Sequence, residues 1–298
     1  MKIVRAVREL ERKERAVALG TFDGVHLGHR RVVEETIAAG GTPTVVTFHP
    51  HPRRVLGYGV ELLCTLERRL ELLADLGVEE TLVLEFTLDF QRIEADEFAS
   101  DVLGAIGART VVAGADFRFG HRREGDLALL AGLGYETRPV RLLEGVSSSE
   151  IRHHLHAGEI EAAARLLGRP PEVEGVVVEG DARGGTLGFP TANLAAEPDL
   201  IIPAHGIYAG FAAGHRAAVS IGLNPHYGGD ELRVEAFLLG FAGDLYGRRI
   251  VLELWRRLRD ERAFASEQEL IDQIVLDVEE TERAERPLKP PGSDPEGV

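Results

Sequence analysis

The sequence predicts two domains of different class, a parallel, doubly wound α/β domain followed by a small antiparallel β-barrel with one closing helix. In the first half, apolar strand-like runs alternate with helical patterns, which is typical of a parallel sheet covered by helices. Beyond residue 171, strand-like runs follow one another through Gly-rich loops, which favours a barrel. A chain of 298 residues is long enough for two such domains.

In the first half, each predicted strand is followed by a segment of helical periodicity. The strand-like runs are 17–19, 44–48, 81–85, 110–113 and 135–140, and the helical patterns are 30–37, 66–76, 95–106 and 125–131. Two short helices are predicted at 148–157 and 159–167, and a linker at 169–171, which reads Arg-Pro-Pro. We therefore expect a first domain at 1–169.

The second half contains short strands and one long helix. The predicted strands are 173–179, 207–212, 216–221, 233–239 and 249–254, and the helix is 266–284. Residues 287–298 carry several Pro and Gly and few apolar side chains, so we expect a disordered tail there. The second domain is accordingly predicted at 170–286.

Composition excludes several classes of protein. A formal net charge of −15 argues against a nucleic-acid partner, because binding to the phosphate backbone requires a basic surface. The single cysteine, Cys64, excludes an intramolecular disulfide, and we expect it, between Leu63 and Thr65, to be a small buried side chain and not a nucleophile. The sequence shows no signal segment and no long apolar span, so we expect a cytoplasmic protein without a membrane partner.

Residues 20–29, GTFDGVHLGH, place two histidines where a strand gives way to a helix. A helix N-terminus presents free backbone N–H groups, and Gly24 and Gly28 let the main chain approach a triphosphate closely. His26 and His29 would then donate hydrogen bonds to charge developing on a phosphoryl group. The alternative is that a histidine at a helix start only caps the helix, but the βαβ unit completed by 45–48 favours a nucleotide site.

Two further strings are predicted at the carboxyl ends of strands, where open parallel sheets bind ligands. Asp116 lies in 114–120, GADFRFG, and the string 146–152 reads VSSSEIR. Ser147 and Ser148 can cap a helix and donate to phosphate oxygens, with Arg152 one turn further on as a bidentate clamp. The alternative is a capping box without a ligand.

The string 180–194, GDARGGTLGFPTANL, is the main feature of the second half. Its Gly-rich first part is suited to wrapping phosphates. Thr191 and Asn193 offer two oxygen ligands suited to a hard cation such as Mg²⁺. The alternative is a surface loop with an ordinary Thr and Asn.

These motifs resemble those of a known enzyme family. H-x-G-H resembles the nucleotidyltransferase signature, and G-x-x-x-G-x-P-T-A-N resembles that of riboflavin kinases, whose later motifs follow in order: 206–210, 221–222, Glu235, 244–247, 258–261 with Phe264, 269–270 and 273–274. From about 17 to about 284, the chain resembles the prokaryotic bifunctional riboflavin kinase and FMN adenylyltransferase, or FAD synthetase. The resemblance implies a Rossmann-like nucleotidyltransferase domain and a six-stranded kinase barrel with a C-terminal helix.

The resemblance also implies roles for individual residues. In the kinase, Thr191 and Asn193 would hold the Mg²⁺ of ATP, Glu235 would act as base on the ribityl 5′-hydroxyl of riboflavin, and Arg259 would lie near the flavin. In the adenylyltransferase, which converts FMN to FAD, the catalytic residues His26 and His29 would contact the ATP phosphates. The pyrophosphate would be bound by Ser147, Ser148 and Arg152. Further residues expected to bind ATP or flavin are Gly20, Phe22, Asp23, Gly28, Asp116, Gly180, Arg183 and Gly188.

Five positions depart from the family pattern, namely His49, Ala182, His226, Phe237 and Gly240. None of them removes a proposed ligand or base, so we expect a bifunctional enzyme that acts as a monomer or weak homo-oligomer. Two alternatives remain: a monofunctional enzyme with one degenerate domain, and a non-catalytic flavin-binding regulator. The second alternative is disfavoured because both sets of catalytic residues are retained.

Overall fold

The computed structural model describes residues 1–180, 189–223 and 232–287. The chain forms two compact units. The first consists of Met1–Leu62 and Leu66–Ser147, and the second of Leu63–Thr65 and Ser148–Val298. Almost all of the predicted disordered tail lies outside the described residues, with Pro287 as its one described member. The domain limits predicted from the sequence, 1–169 and 170–286, stay a prediction.

The first unit is built on a six-stranded parallel sheet of order β1-β4-β3-β2-β5-β6. Its strands are β1 (Lys2–Val4), β2 (Arg15–Leu19), β3 (Thr42–His49), β4 (Glu80–Glu85), β5 (Ala108–Gly114) and β6 (Glu136–Val140). The helices are α1 (Leu27–Ala38), α2 (Pro52–Val55), α3 (Leu66–Asp75), α4 (Ala95–Phe98) and α5 (Leu127–Gly132). Single 3₁₀ turns lie at Val7–Glu9, Phe90–Arg92 and His121–Arg123. The parallel, doubly wound fold is therefore confirmed.

The pattern of apolar runs did not predict two features of this unit. Strand β1 is only three residues long and largely exposed, so it has no apolar run to mark it. The helix predicted at 95–106 is α4 continued by a π-helical segment, Ala99–Gly104. Tyr135 donates a hydrogen bond of 2.6 Å to the carbonyl of Ala99, at the point where the helix changes type.

The order of the strands creates a crevice at one edge of this sheet. After β2 the chain adds β3 and then β4 on one side, whereas β5 and β6 lie on the other side of β2. The loops that follow β2 and β5 therefore diverge from neighbouring carboxyl ends, where doubly wound sheets bind ligands. Strand β2 is buried along its whole length, so it holds these loops on a rigid base.

The second unit is a closed six-stranded barrel with one helix pair before it in sequence and one long helix after it. Its strands are β7 (Glu172–Val178), β8 (Thr191–Ala196), β9 (Gly206–Ala212), β10 (His215–Leu223), β11 (Leu232–Leu238) and β12 (Arg249–Arg259), and the pairing order is β10-β11-β8-β7-β12-β9. All of these pairs are antiparallel. The helices are α6 (Ser148–His156), α7 (Ile160–Leu167) and α8 (Glu267–Arg283). The predicted six-stranded barrel with a C-terminal helix is confirmed.

The helix pair α6 and α7 shares the hydrophobic core of the barrel. Ile151, Leu155 and Ile160 belong to the same buried cluster as Val219 and Leu252 of the strands. Pro170 and Pro171 are also buried. The carbonyl of Pro171 accepts a hydrogen bond of 2.8 Å from the Leu254 backbone N–H. Residues 169–171 are thus packed against the barrel.

Across the described residues, no helix is both long enough and apolar enough to cross a membrane. Cys64 is buried, as predicted.

Candidate active sites

The loop between β2 and α1 has a strained backbone. The N–H of Gly20 donates to the Val46 carbonyl at 3.3 Å, which fixes the start of the loop. Phe22 and Val25 then adopt φ angles of 52° and 41°, a left-handed region that costs a non-glycine residue about 1–3 kcal/mol. Both side chains are buried, so packing holds this conformation. Strain of this kind concentrates at functional sites.

His26 forms the N-cap of α1, and His29 lies in the first turn. The Nδ1 atom of His26 accepts the backbone N–H of His29 at 3.3 Å, so a neutral His26 carries its proton on Nε2. The two rings stack with their centroids 3.6 Å apart and an interplanar angle of 16°. A Cβ on Gly28 would come within 3.1 Å of His26 Cε1, so the glycine provides the space that the His26 ring occupies. The predicted position of both histidines at a helix N-terminus is therefore found in the structure.

His29 is neutral at physiological pH. Burial lowers the pKa of His29 well below 6.5, and electrostatic repulsion by His26 and Arg69 lowers it further. Its Nδ1 atom is buried and has no hydrogen-bond partner among the described residues. The Phe22 ring packs beside it, with centroids 5.2 Å apart. A neutral imidazole held in this way donates a hydrogen bond without carrying its own charge into the site.

The other residues predicted for the nucleotide site are distributed over both units. Asp23 is buried in the strained loop. Asp116 is exposed after β5, and a Cβ on Gly114 would lie 3.2 Å from its Oδ1 atom. Ser147 ends the first unit. Ser148 and Arg152 lie one turn apart on α6 in the second unit.

In the barrel, the proposed kinase residues lie on two adjacent strands. Asn193 on β8 is directly opposite Glu235 on β11, and Thr191 is opposite Phe237. Thr191 Oγ1 lies 3.5 Å from Glu235 Oε2. Directly paired residues point to the same face of a sheet, and the neighbours of these residues along both strands face the buried core. The hydroxyl, amide and carboxylate therefore share the outer face of the barrel.

Thr191 and Asn193 were predicted beside a Gly-rich turn, and the pattern did not indicate that they begin a strand. A Cβ on Gly180 would overlap the Asn193 amide, so the amide can adopt this position only because residue 180 is a glycine. Hydroxyl, amide and carboxylate oxygens are the ligands that Mg²⁺ prefers. No group of three His, Cys, Asp or Glu that could hold a metal occurs in the described parts of the chain. The Thr191 hydroxyl and the Asn193 amide are thus oxygen ligands of a kind that fits a hard cation.

The other predicted kinase residues differ in what the structure shows of them. Arg183 and Gly188 lie outside the described residues. Arg259 forms a bidentate ion pair with Asp277 of α8, at 2.9 and 2.7 Å. Its Nη1 atom donates to the Asp260 carbonyl at 2.9 Å, so the guanidinium is held in a fixed orientation beside the Phe264 ring.

Three features of these sites were not predicted from the sequence motifs. The carboxylate of Glu261 lies where a Cβ of Gly222 would be, and partial burial raises the pKa of Glu261 against the lowering effect of His205 and Arg259. Phe189 and Phe237 meet edge to face at 5.4 Å beside Thr191. The third is Arg69, a fully buried cation on α3. A signal for it was present, because Arg69 interrupts an apolar stripe of leucines spaced three and four residues apart.

Comparison with known proteins assigns each unit to a described family. A family model described as FAD synthetase matches residues 8–150, and one described as riboflavin kinase matches residues 167–284. A bifunctional riboflavin kinase/FMN adenylyltransferase from Listeria monocytogenes is 36% identical over 90% of this chain and 91% of its own. The chain belongs to the bifunctional riboflavin kinase/FMN adenylyltransferase family. A member of this family from Bacillus subtilis is 35% identical over 92% of this chain and 93% of its own.

One solved structure has the same fold as the present protein over almost its whole length. It is described as a macrolide-efflux protein from Streptococcus pneumoniae, with a TM-score of 0.86 and 30% identity. The match covers 95% of this chain and 99% of that one. The fold of the bifunctional family thus has an experimental counterpart.

Proposed function

We propose that the protein makes FAD from riboflavin in two ATP-dependent steps, phosphorylation to FMN and adenylylation of FMN. The observation that carries this proposal is that both sets of reactive groups are intact. Glu235 lies opposite Asn193 and beside Thr191 on the barrel. His26 and His29 stack at the start of α1 in the other unit. Relatives that share both units carry the same pair of activities in their names.

In the kinase step, Glu235 accepts the proton of the ribityl 5′-hydroxyl as that oxygen attacks the γ-phosphorus and ADP leaves. Thr191 and Asn193 would hold Mg²⁺, which neutralises charge on the phosphate oxygens. Gly180, Arg183 and Gly188 belong to the loop proposed to wrap those phosphates. Arg259, fixed by Asp277, is proposed to lie near the flavin.

In the adenylylation step, a phosphate oxygen of FMN attacks the α-phosphorus of ATP and pyrophosphate leaves. The FMN phosphate is already anionic at neutral pH, so no protein base is needed. His26 and His29 donate hydrogen bonds to the phosphate oxygens, a form of stabilisation worth about 3 kcal/mol per donor. Ser147, Ser148 and Arg152 are proposed to bind the pyrophosphate, and the loop residues Gly20, Phe22, Asp23 and Gly28 together with Asp116 are proposed to complete the nucleotide and flavin site.

The decisive experiment is a time course with riboflavin and MgATP in which the flavins are separated. We expect FMN first and FAD afterwards. Accumulation of FMN alone would indicate a monofunctional enzyme, and unchanged riboflavin would indicate a binding protein. A parallel reaction with excess EDTA tests the need for a divalent cation, and we expect it to stop FMN formation. We further propose that the enzyme acts in the cytoplasm, where ATP is supplied, as a monomer or weak homo-oligomer.

A further inference from the structure

Arg69 is a fully buried cation on the inner face of α3. Its side chain is 0% exposed, and Leu66, Leu70 and Leu73 on the same face of the helix are buried with it. An arginine at such a position is rarely buried without a partner, because removing a guanidinium from water is costly. The cost has to be offset by hydrogen bonds and by a negative charge.

A second buried arginine in the same unit shows what full compensation looks like. Arg15 is 1% exposed, and its Nε atom donates to Glu80 Oε2 at 2.7 Å. Lys13 contacts the same carboxylate at 3.1 Å. Burial opposes ionisation of Glu80, but the hydrogen bonds from Arg15 and Lys13 bring the pKa of Glu80 below its usual value. Arg69 forms no such pair with any carboxylate in the described part of the chain.

The hydrogen bonds that Arg69 does form tie two strand ends together. Its Nη1 atom donates to the Thr21 carbonyl at 2.9 Å and to the Phe48 carbonyl at 3.2 Å. Thr47 Oγ1, 3.5 Å from the same Nη1 atom, also donates to the Thr21 carbonyl at 3.1 Å. Thr21 belongs to the strained loop that leads to His26, so Arg69 supports the base of that loop.

The remaining polar atoms of Arg69 are unsatisfied. Within residues 1–180, 189–223 and 232–287, its Nε and Nη2 atoms are buried and have no hydrogen-bond partner. The same is true of the Nδ1 atoms of His29 and His49. His49 directly follows the carbonyl that Arg69 binds. Three side chains near the carboxyl ends of β2 and β3 thus carry unfilled hydrogen-bonding capacity.

None of these three side chains contributes a negative charge. Burial lowers the pKa of both His29 and His49, and the charge of Arg69 lowers each of them further. Arg5 acts on His49 in the same direction, and the exposed Glu67 acts in the opposite one. Both imidazoles are therefore neutral near pH 7, and neither supplies the negative charge that the guanidinium lacks.

We propose that Arg69 is a positioning residue of the adenylyltransferase site whose buried charge is compensated by the phosphate groups of the bound substrate. Phosphate bound at the N-terminus of α1 lies above the loop that Arg69 supports, so the anion supplies the missing charge through a region of low dielectric. The inference rests on the proposed adenylyltransferase function. It adds to that function a cation that recognises phosphate without belonging to the signature motif.

The test uses the full-length protein and two substitutions at one position. Arg69→Met keeps most of the side-chain volume and removes the charge, whereas Arg69→Lys keeps the charge. We expect Arg69→Met to raise a KM of FAD formation at least tenfold, and Arg69→Lys to restore most of the loss. A rise in KM for ATP alone assigns the ATP phosphates, and a rise for FMN alone assigns the FMN phosphate. Unchanged KM values for both substrates would overturn the proposal.

If Arg69→Met does not fold, the melting transition of the first unit will be lost, and a second pair of variants then tests the proposal. His49→Asp places a carboxylate beside Arg69, and His49→Asn is the uncharged control. We expect His49→Asp to melt at a higher temperature than His49→Asn without ligand, and to gain less thermal stability from inorganic pyrophosphate. Equal pyrophosphate-induced shifts in the two variants would contradict the proposal. FAD formation by the wild-type protein tests the underlying function separately.

Discussion

At His29, burial and the electrostatic influence of His26 and Arg69 all lower the pKa of one imidazole. The ring is neutral, stacked on His26 and packed beside Phe22, so its orientation is set before a nucleotide binds. Preorganised donors of this kind are effective because no reorganisation is needed as charge develops in the transition state. The adenylylation step should therefore depend strongly on this one side chain.

We expect His29→Ala to lower FAD formation from FMN and ATP by roughly a hundredfold or more, because one preorganised donor is lost. FMN formation from riboflavin should persist, since Glu235 lies in the other unit. Both rates are measured on one preparation. His153→Ala, which changes an exposed histidine on α6, is the matched control. FAD formation at the wild-type rate in His29→Ala would show that the site is wrongly assigned.

The lowered pKa values also predict a dependence of stability on pH. In the unfolded chain His29 and His49 titrate near the ordinary value of 6.5, and in the folded protein both do so at lower pH. As the pH falls, the unfolded state binds protons first, so the stability present above about pH 6.5 is lost progressively. We expect the melting temperature to fall between pH 7.5 and pH 5.5, and His29→Asn to reduce that fall. A fall of the same size in His29→Asn would exclude His29 as a cause, and His153→Asn should behave like the wild type.

Glu235 is the corresponding residue of the kinase. Glu235→Gln keeps the shape and removes proton acceptance, so riboflavin phosphorylation should fall by roughly a hundredfold to ten-thousandfold while riboflavin still binds. Glu179→Gln, at an exposed position after β7, is the control. Conversion of FMN to FAD serves as an internal standard for the amount of active protein, and riboflavin binding and the melting temperature report whether the barrel is folded. Wild-type phosphorylation by Glu235→Gln would remove Glu235 from the mechanism, whereas a parallel fall in both activities would indicate misfolding.

Functional residues that belong to a signature motif were predictable from the sequence. Residues whose role depends only on packing were less so. His26, His29 and Glu235 stand in short motifs whose chemistry can be named from residue types alone. Arg69 stands in no motif, and a charged residue in an amphipathic helix ordinarily indicates a solvated face. Its burial follows from the way α3 packs on β2 and β3, which depends on contacts far apart in sequence.

At the scale of elements, the site on the barrel depends on the register of β8. Pairing brings Asn193 opposite Glu235, and a slip of one residue would turn both Thr191 and Asn193 toward the core. The strand was missed in the sequence because a Gly-rich stretch and Pro190 precede it, and most of its apolar side chains are alanine. The register of a strand is set by the strands that pair with it, so it cannot be predicted from the sequence of that strand alone.

Gly180 offers a test of this arrangement. Gly180→Ala should displace the Asn193 amide, because the added Cβ would overlap it, and should thereby impair phosphorylation of riboflavin. We expect a higher KM for MgATP with FAD formation from FMN unaffected. Gly59→Ala is the matched control, since a Cβ there meets nothing within 4 Å. An unchanged KM in Gly180→Ala would mean that Asn193 does not bind the nucleotide.

For the whole molecule, sequence patterns predicted two units of the right class, while their limits depend on packing. The helix pair α6 and α7 precedes the Arg-Pro-Pro segment in sequence, yet its apolar side chains belong to the core of the barrel. Hydrophobic periodicity shows that a helix has a buried face. It does not show which unit covers that face.

Two fragments test where the kinase begins. Each Leu or Ile side chain of α6 and α7 that leaves water stabilises the fold by about 1.5–3 kcal/mol. We therefore expect a fragment of residues 148–298 to melt at a clearly higher temperature than one of residues 170–298. Both contain every proposed kinase residue, so both should phosphorylate riboflavin below their melting temperatures. Equal melting temperatures would show that the helix pair is dispensable for the barrel.

The short segment Leu63–Thr65 is translated long before the residues that it packs against. It belongs to the second unit although it lies within the sequence of the first. Thr65 Oγ1 donates a hydrogen bond of 2.7 Å to Glu174, which follows 109 residues later and also binds Arg249. During synthesis, the contacts of this segment therefore cannot form until the barrel has been translated. A chimera made by a single crossover would exchange the barrel and leave this segment behind, so an exchange of the complete second unit has to include residues 63–65 as well.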